Sequence, residues 1–523
     1  MTPRRLALPA AVLVAALLRA WQLGSQIVED DEFHGLQAAA TLGAADLLAR
    51  RTPHGFALDY SIPLALWNRL WIETAGLDEW ALRLPVLLGG ILLVPAAGLF
   101  AARRLGPAEG AAAAWLLALS PVLVLYSRFA RPYGLVALLV FASLVGWLEW
   151  QRGGARRWGL GSAAAGAAAI FANPVAAPAV LAVWGLGAAL ALRERGPARA
   201  FAGWVAIGLG LAFLGLAPSL DSWQVFIERK AQATRPDPAA WWGAAQVLFG
   251  SRRAPAVAAA IALAAFGARI AARRAPRFAA GVAVGLLAQV AALQAVAPHG
   301  ADQPMVLARY LLVAFLGVLV LVGAGLAGLA ARIFPGRPLG AGALSALVLA
   351  ALFAAGPLPG LYAGANSYTS HRFHYAPATW RVHPERIPAA YADLARGQGT
   401  LTEAPWTLEW DRTIYGEYQR VHGRSIRTLT TVRTFGAQGV ELGTVVPLRH
   451  VPSDFSGFET LVVHKDVVGE WFHVTAQRDP QALERWTTSV HRSDAAAILE
   501  ACRRSPALRA SYEDEWIAVF ERR

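Results

Sequence analysis

The chain has 523 residues, 56% of them hydrophobic and 16% charged, with a mean hydropathy of +0.41. That profile excludes a soluble globule and places the chain among polytopic α-helical membrane proteins. The formal net charge of 48 − 35 = +13 would suggest nucleic acid in a soluble chain; here much of the excess sits in short loops between apolar runs and reads as topology, while a single cysteine, Cys502, excludes an intramolecular disulfide.

Eleven apolar runs follow one another: 6–23, 81–100, 110–125, 134–148, 158–171, 175–192, 200–216, 254–267, 278–296, 310–329 and 339–355. Each is near the length that a spanning helix needs. Arg4 and Arg5 precede the first, which predicts a cytoplasmic N-terminus, and no small-x-small cleavage site follows it, so it reads as an uncleaved span with Arg19 snorkelling to the outer interface. The alternate loops then carry Arg103 and Arg104; Arg152, Arg156 and Arg157; Arg193, Arg195 and Arg199; Arg273, Arg274 and Arg277; and Arg332 and Arg337, as expected of cytoplasmic turns. An odd number of spans puts the C-terminal region outside. Alanine and glycine dominate the spans, which suits close helix approach in lipid and equally suits a compositional bias of the coding sequence.

Three outer regions are long enough to hold chemistry. The first, 24–80, opens with the acidic cluster Glu29, Asp30, Asp31 and Glu32, and continues into two stretches that read as interfacial helices, "FHGLQAAATLGAADLLARR" and "DYSIPLALWNRLWIE". The second, 218–253, carries Trp223, Trp241 and Trp242 as an aromatic belt; the third, 297–309, is short and polar. From residue 365 to 523 the composition changes. "GTLTEAP", "SIRTLTT", "TLVVHKD" and "WIAVFER" read as strands, and "IPAAYADLARG", 406–421 and "SDAAAILEACRRS" as helices. This predicts an extracytoplasmic α/β domain with a largely parallel sheet, covering the outer face of the 1–364 membrane domain. It has no GxGxxG fingerprint or P-loop, and His371, His374 and His383 are too irregularly spaced for a metal site.

Four stretches carry a resemblance: "VEDDEFHGLQAA", with an Asp-Glu pair at Asp31 and Glu32; "DEWALRLPVLLGGILLVPAAGLFAARRLG", with Arg83, Leu84 and Pro85; "LLALSPVLVLYSRFARPYGLVALLV", with its Ser-Pro, Tyr-Ser and Arg-Pro-Tyr; and "ARYLLVAFLGVLVL". Together they cover about a third of the chain, and they resemble the GT-C glycosyltransferases, in the branch of the protein O-mannosyltransferases and the lipid A aminoarabinose transferases. The chain departs from that pattern where relatives often place Lys-Pro-Pro or His-Pro-Pro: it has Ser61, Ile62, Pro63 and Leu64. It also lacks a recognisable β-trefoil insert.

The resemblance implies transfer of a sugar from a polyprenyl-phosphate donor to a hydroxyl of a lipid, glycan or protein at the outer face of a bacterial plasma membrane. It implies no nucleotide and no nucleic acid, and leaves a divalent cation open. Asp31 is the expected general base, with inversion at the sugar; the other reading of Asp31 is a helix cap. Glu32 would orient Asp31, bind a metal with it, or be an exposed first-turn residue, and Asp30 reads as the cap. Arg128, Arg131 and Arg309 fall at outer ends of spans and are the expected donors to the leaving phosphate. Tyr133 and Tyr310 read as belt residues, and His34 and His54 as structural. The rival class is a transporter or lipid flippase with an accessory domain, which buried charge pairs or inverted repeats would favour; the spans read as nearly charge-free. A sensor or scaffold is a third reading.

Overall fold

A computed structural model of the protein describes residues 3–26, 32, 35–36, 38–39, 42–50, 60–193, 198–220, 234–298, 300–335, 344–345, 347–349, 351, 356–363, 382–405, 411–424, 426–428, 432–433, 455, 457–476 and 492–523. The membrane part contains α1 (Pro3–Ala20), α2 (Ala44–Ala49), α3 (Ile62–Thr74), α4 (Glu79–Arg104), α5 (Pro107–Leu119), α6 (Pro121–Tyr126), α7 (Tyr133–Gly153), α8 (Arg156–Ala172), α9 (Ala177–Arg193), α10 (Ala198–Leu216), α11 (Pro238–Phe249), α12 (Ala254–Arg274), α13 (Pro276–Val296), α14 (Pro304–Ile333) and α15 (Gly360–Ala363).

The first ten expected runs are all helical, and eight of the described helices, α1, α4, α7, α9, α10, α12, α13 and α14, are long and apolar enough to cross a membrane. The protein is an integral membrane protein. The third run is broken into α5 and α6 because Ser120 is extended (φ −61°, ψ 115°) and Pro121 opens a new helix. The fifth, α8, is 17 residues long. The eleventh lies largely outside the described residues, so eleven spans is not the count they give.

α14 is the most enclosed span: most of its 30 residues are buried. It meets α12 where Gly267 faces the Leu321 carbonyl and Gly325 faces the Leu263 carbonyl, and a Cβ at either position would collide with backbone. Small residues here permit close approach, the packing that membrane helices favour. At one end of the bundle, Arg104 of α4 pairs with Glu149 of α7 (2.5 Å), and Arg274 of α12 with Glu109 of α5 (2.7 Å). The other end of α4 carries Arg83.

The C-terminal region folds as α16 (Ala390–Leu394), β1 (Leu401–Ala404), α17 (Asp411–His422), β2 (Ile426–Thr428), β3 (Val432–Arg433), β4 (Thr460–His464), α18 (Val467–Thr475), α19 (Arg492–Arg504), β5 (Leu508–Glu513) and β6 (Ile517–Arg522). The sheet order is β3-β2-β1-β4-β6-β5. β1 runs parallel to both β2 and β4, but β3, β6 and β5 pair antiparallel to their neighbours. The sheet is therefore mixed rather than largely parallel. A local cause is the β5–β6 hairpin: Asp514 Oδ1 accepts from the amides of Trp516 (2.8 Å) and Ile517 (2.7 Å), closing a tight turn that joins antiparallel strands.

Candidate active site

The acidic stretch follows α1 in the chain. A helix leaves its last carbonyls without backbone donors, and here side chains from distant parts of the chain fill them. Arg128 Nη1 donates to Leu18 O (3.1 Å) and Arg19 O (2.8 Å), and its Nε donates to Gln26 Oε1 (3.1 Å). Gln26 Nε2 returns a bond to Arg128 O (3.2 Å). Arg83 Nη1 donates to Leu23 O (3.1 Å) and Gln26 O (2.8 Å).

The same guanidinium of Arg83 also holds Glu32. Nε donates to Oε1 (2.9 Å) and Nη2 to Oε2 (2.7 Å), a two-point ion pair with both side chains fully buried. The amide of Ala130 adds a third donor to Glu32 Oε1 (2.7 Å). Arg83 thus grips residue 26 and residue 32, the two ends of the stretch that carries Asp30 and Asp31. Asp31 itself lies outside the described residues, as do Asp30, His34 and His54. Glu32 is not an exposed first-turn glutamate: it is buried and held by a guanidinium partner. The pairing makes it a poor cation ligand, because Arg83 already neutralises the carboxylate and would repel a metal ion beside it. A divalent cation does not fit at Glu32. Among the described residues no group of three or more His, Cys, Asp or Glu could hold a metal ion.

Arg19 does not snorkel. It is 0% exposed. Its guanidinium donates to Leu117 O (2.9 Å), Ala118 O (3.0 Å) and Ser127 Oγ (3.1 Å). The reason is the α5–α6 break. Leu117 O would bond the amide of residue 121, but Pro121 has none, and Arg19 supplies the missing donor. Gly90 of α4 leaves the room: a Cβ there would collide with Ser127 and crowd Arg19.

The turn between α6 and α7 brings the remaining expected residues together. Arg128 is 1% exposed and serves the end of α1, whereas Arg131 is half-buried. Arg309, on α14, lies under the same turn, with its guanidinium 5.7 Å from the Tyr133 ring and 5.4 Å from the Tyr310 ring. Tyr133 and Tyr310 therefore flank an arginine, a contact that their reading as belt residues missed. Glu32 and Arg128 meet at this turn, Arg131 is part of it, and Arg309 lies against Tyr133 at its end; Arg19, Arg83, Gln26 and Ser127 join them and were not assigned to the site from the sequence.

Solved structures resemble this arrangement over nearly the whole chain. ArnT from Cupriavidus metallidurans in the apo state superimposes with a TM-score of 0.54 at 15% identity, covering 98% of this chain and 97% of that one. ArnT bound to undecaprenyl phosphate gives 0.54 at 16%, with the same coverage. This chain has the GT-C fold. The arabinofuranosyltransferase AftD from Mycobacteria matches with 0.50 at 17%, across 99% of this chain and 39% of AftD. No protein-family model and no curated protein matches the sequence. Within the GT-C fold, the Arg83–Glu32 pair sits at the end of a span, not in the middle of the bundle as a transport pathway would place it.

A second buried polar cluster lies in the core of the C-terminal domain. His464 of β4 donates from Nδ1 to Glu470 Oε2 (2.7 Å) and from Nε2 to Glu403 Oε2 (2.8 Å), all three side chains being fully buried. Tyr391 donates to Glu403 (3.1 Å) and Tyr418 to Glu470 (2.6 Å). Burial alone would drive the imidazole neutral, but the Glu470 charge and the hydrogen bonds with both carboxylates outweigh it and raise its pKa to about 10. The cluster joins β1, β4, α16, α17 and α18 through one imidazolium. His383 pairs at the surface with Glu385 (3.1 Å), and His371 and His374 lie outside the described residues.

Proposed function

We propose that this protein is an inverting membrane glycosyltransferase that moves a sugar from a polyprenyl-phosphate donor to a hydroxyl at the outer face of a bacterial plasma membrane. The observation that carries the reading is the clamp of Arg83 on Gln26 and Glu32, which holds the two ends of the Asp30–Asp31 stretch within a GT-C fold. The likeness to an ArnT with undecaprenyl phosphate bound supports a lipid carrier of that chemical class.

In this mechanism Asp31 takes the proton of the acceptor hydroxyl as its oxygen attacks the anomeric carbon. The anomeric C–O bond breaks, and the polyprenyl phosphate leaves with the electron pair. One displacement from the opposite face inverts the centre. Glu32 orients Asp31 through its ties to Arg83 and the Ala130 amide. Arg131 and Arg309 meet the charge that grows on the leaving phosphate, and Arg128 adds positive field from below while holding the loop's root. No step is routed through a metal ion.

The test is transfer by lipid-reconstituted protein offered a panel of polyprenyl-phosphate sugars, with Asp31→Asn beside wild type and both checked for monodispersity. Transfer or donor hydrolysis lost in Asp31→Asn supports the reading. Equal activity removes Asp31 as the base, and no turnover with any donor moves weight to a transporter.

A further inference from the structure

We infer that Tyr362 is a positioning residue that ties the stretch leading into the C-terminal domain to the acidic loop; this rests on the reading of Asp31 as the base. Tyr362 belongs to α15, the short helix that precedes residue 364. Leu358 and Leu361 anchor α15 in the same apolar cluster as Ala11 and Ala15 of α1. From that seat the Tyr362 hydroxyl donates to Leu18 O, one of the open carbonyls at the end of α1. Arg128 reaches the same oxygen at 3.1 Å, and its guanidinium lies 5.8 Å from the Tyr362 ring.

The chain of contacts is short and continuous. Tyr362 sets one acceptor and one face of Arg128; Arg128 holds Gln26 through two hydrogen bonds; Gln26 O is held by Arg83, which holds Glu32. Gln26 and Glu32 bound the stretch that contains Asp31. Tyr362 touches none of the described residues that we place against the donor other than Arg128, which is itself committed to the backbone of α1. Its effect on transfer therefore passes through geometry. The segment entering the outer domain is thereby fastened to the root of the catalytic loop, so the placement of one is felt by the other.

Tyr362→Phe keeps the ring and removes the hydroxyl; Tyr362→Leu removes both. With one hydrogen bond lost, kcat should fall roughly fivefold in Tyr362→Phe. With the loop root loosened, it should fall on the order of a hundredfold in Tyr362→Leu. In both, the donor KM should stay within about twofold, since uniform binding is untouched. Hydrogen exchange provides the second readout and needs no substrate. Peptides covering 18–26 and 127–133 should exchange faster in Tyr362→Leu, while 311–325 of α14 stays as in wild type. A KM rise that matches the kcat loss, or unchanged exchange in 18–26 and 127–133, overturns the inference. If wild type turns over no donor but exchange shifts as stated, the positioning link stands and the glycosyltransferase reading fails. If wild type is active and neither variant moves kcat, the link fails alone. Should Tyr362→Leu not fold, Tyr362→Phe decides by the same two measurements.

Discussion

Replacing Arg83 by glutamine removes a group that holds both ends of the acidic stretch. Among the described residues four hydrogen bonds go: 2.9 and 2.7 Å to Glu32, 3.1 Å to Leu23 O and 2.8 Å to Gln26 O. Glu32, 1% exposed, is left as a buried carboxylate that has lost its guanidinium and keeps the Ala130 amide. Stranding one member of a buried pair costs about 3–5 kcal/mol. The penalty falls on the loop, which can relieve it by moving Glu32 toward water and carrying Asp31 with it. At 1.4 kcal/mol per tenfold, kcat/KM should drop by roughly 10²- to 10³-fold, while the helical far-UV signal is kept.

Arg83→Met combined with Glu32→Met separates positioning from stability. Removing both charges should restore thermal stability to within about 1–2 kcal/mol of wild type, because an apolar pair of similar volume replaces an ion pair without stranding either member. Transfer should stay low, because Leu23 O and Gln26 O have still lost their donor. The assays are donor turnover in proteoliposomes and a thermal melt in detergent. Arg83→Gln with transfer within threefold of wild type would refute the clamp. So would a double-mutant cycle in which Arg83→Gln and Glu32→Gln add with less than about 0.5 kcal/mol of coupling, the limit seen for independent sites.

Three further outcomes follow from the geometry. His464→Gln leaves Glu403 and Glu470 facing each other without the imidazolium between them, and should destabilise the C-terminal domain by about 3–5 kcal/mol in a melt followed by near-UV dichroism. The wild-type domain should also lose stability with alkali. The folded imidazole titrates near 10 against 6.5 for its ordinary value, so its contribution is full below pH 6.5 and fades as pH rises through 10; a melt that is flat from pH 7 to 10 would contradict this. Chelation by EDTA should leave transfer within about twofold, since Arg83 already neutralises Glu32; activity lost on chelation and restored by a divalent metal would put a cation into the mechanism.

The apolar runs and the late α/β domain were legible because each rests on local pattern, hydropathy or alternation, and Glu32, Arg128, Arg131 and Arg309 were singled out by motifs or by their place at the ends of spans. What holds those residues in place was not legible, because the partners lie far apart in sequence. Arg83 and Glu32 are 51 residues apart, Arg128 and Gln26 are 102, and Arg19 and Ser127 are 108. The antiparallel edge of the sheet was missed for a different reason: β5, "LRASYE", is an outer strand exposed almost throughout and carries little apolar signal.

One of those long-range contacts did leave a trace. An arginine inside an apolar span must find acceptors, since lipid offers none. A Ser-Pro break inside another span must leave a carbonyl without its amide, since proline has no N–H. Arg19 lies near the C-terminal end of the first run, and Ser120-Pro121 near the C-terminal end of the third, so each supplies what the other lacks. Read as a pair, they place α1 against α5 and carry Ser127, one residue before Arg128, to the root of the acidic loop. Reading Arg19 as a snorkelling side chain treated the arginine alone, and a span that contains both a buried cation and an unfilled carbonyl in its neighbour is better read as an assembly site than as a lipid anchor. The same reasoning applies to Arg83, near the start of α4: a buried guanidinium demands a carboxylate, and Glu32, 51 residues away, supplies it.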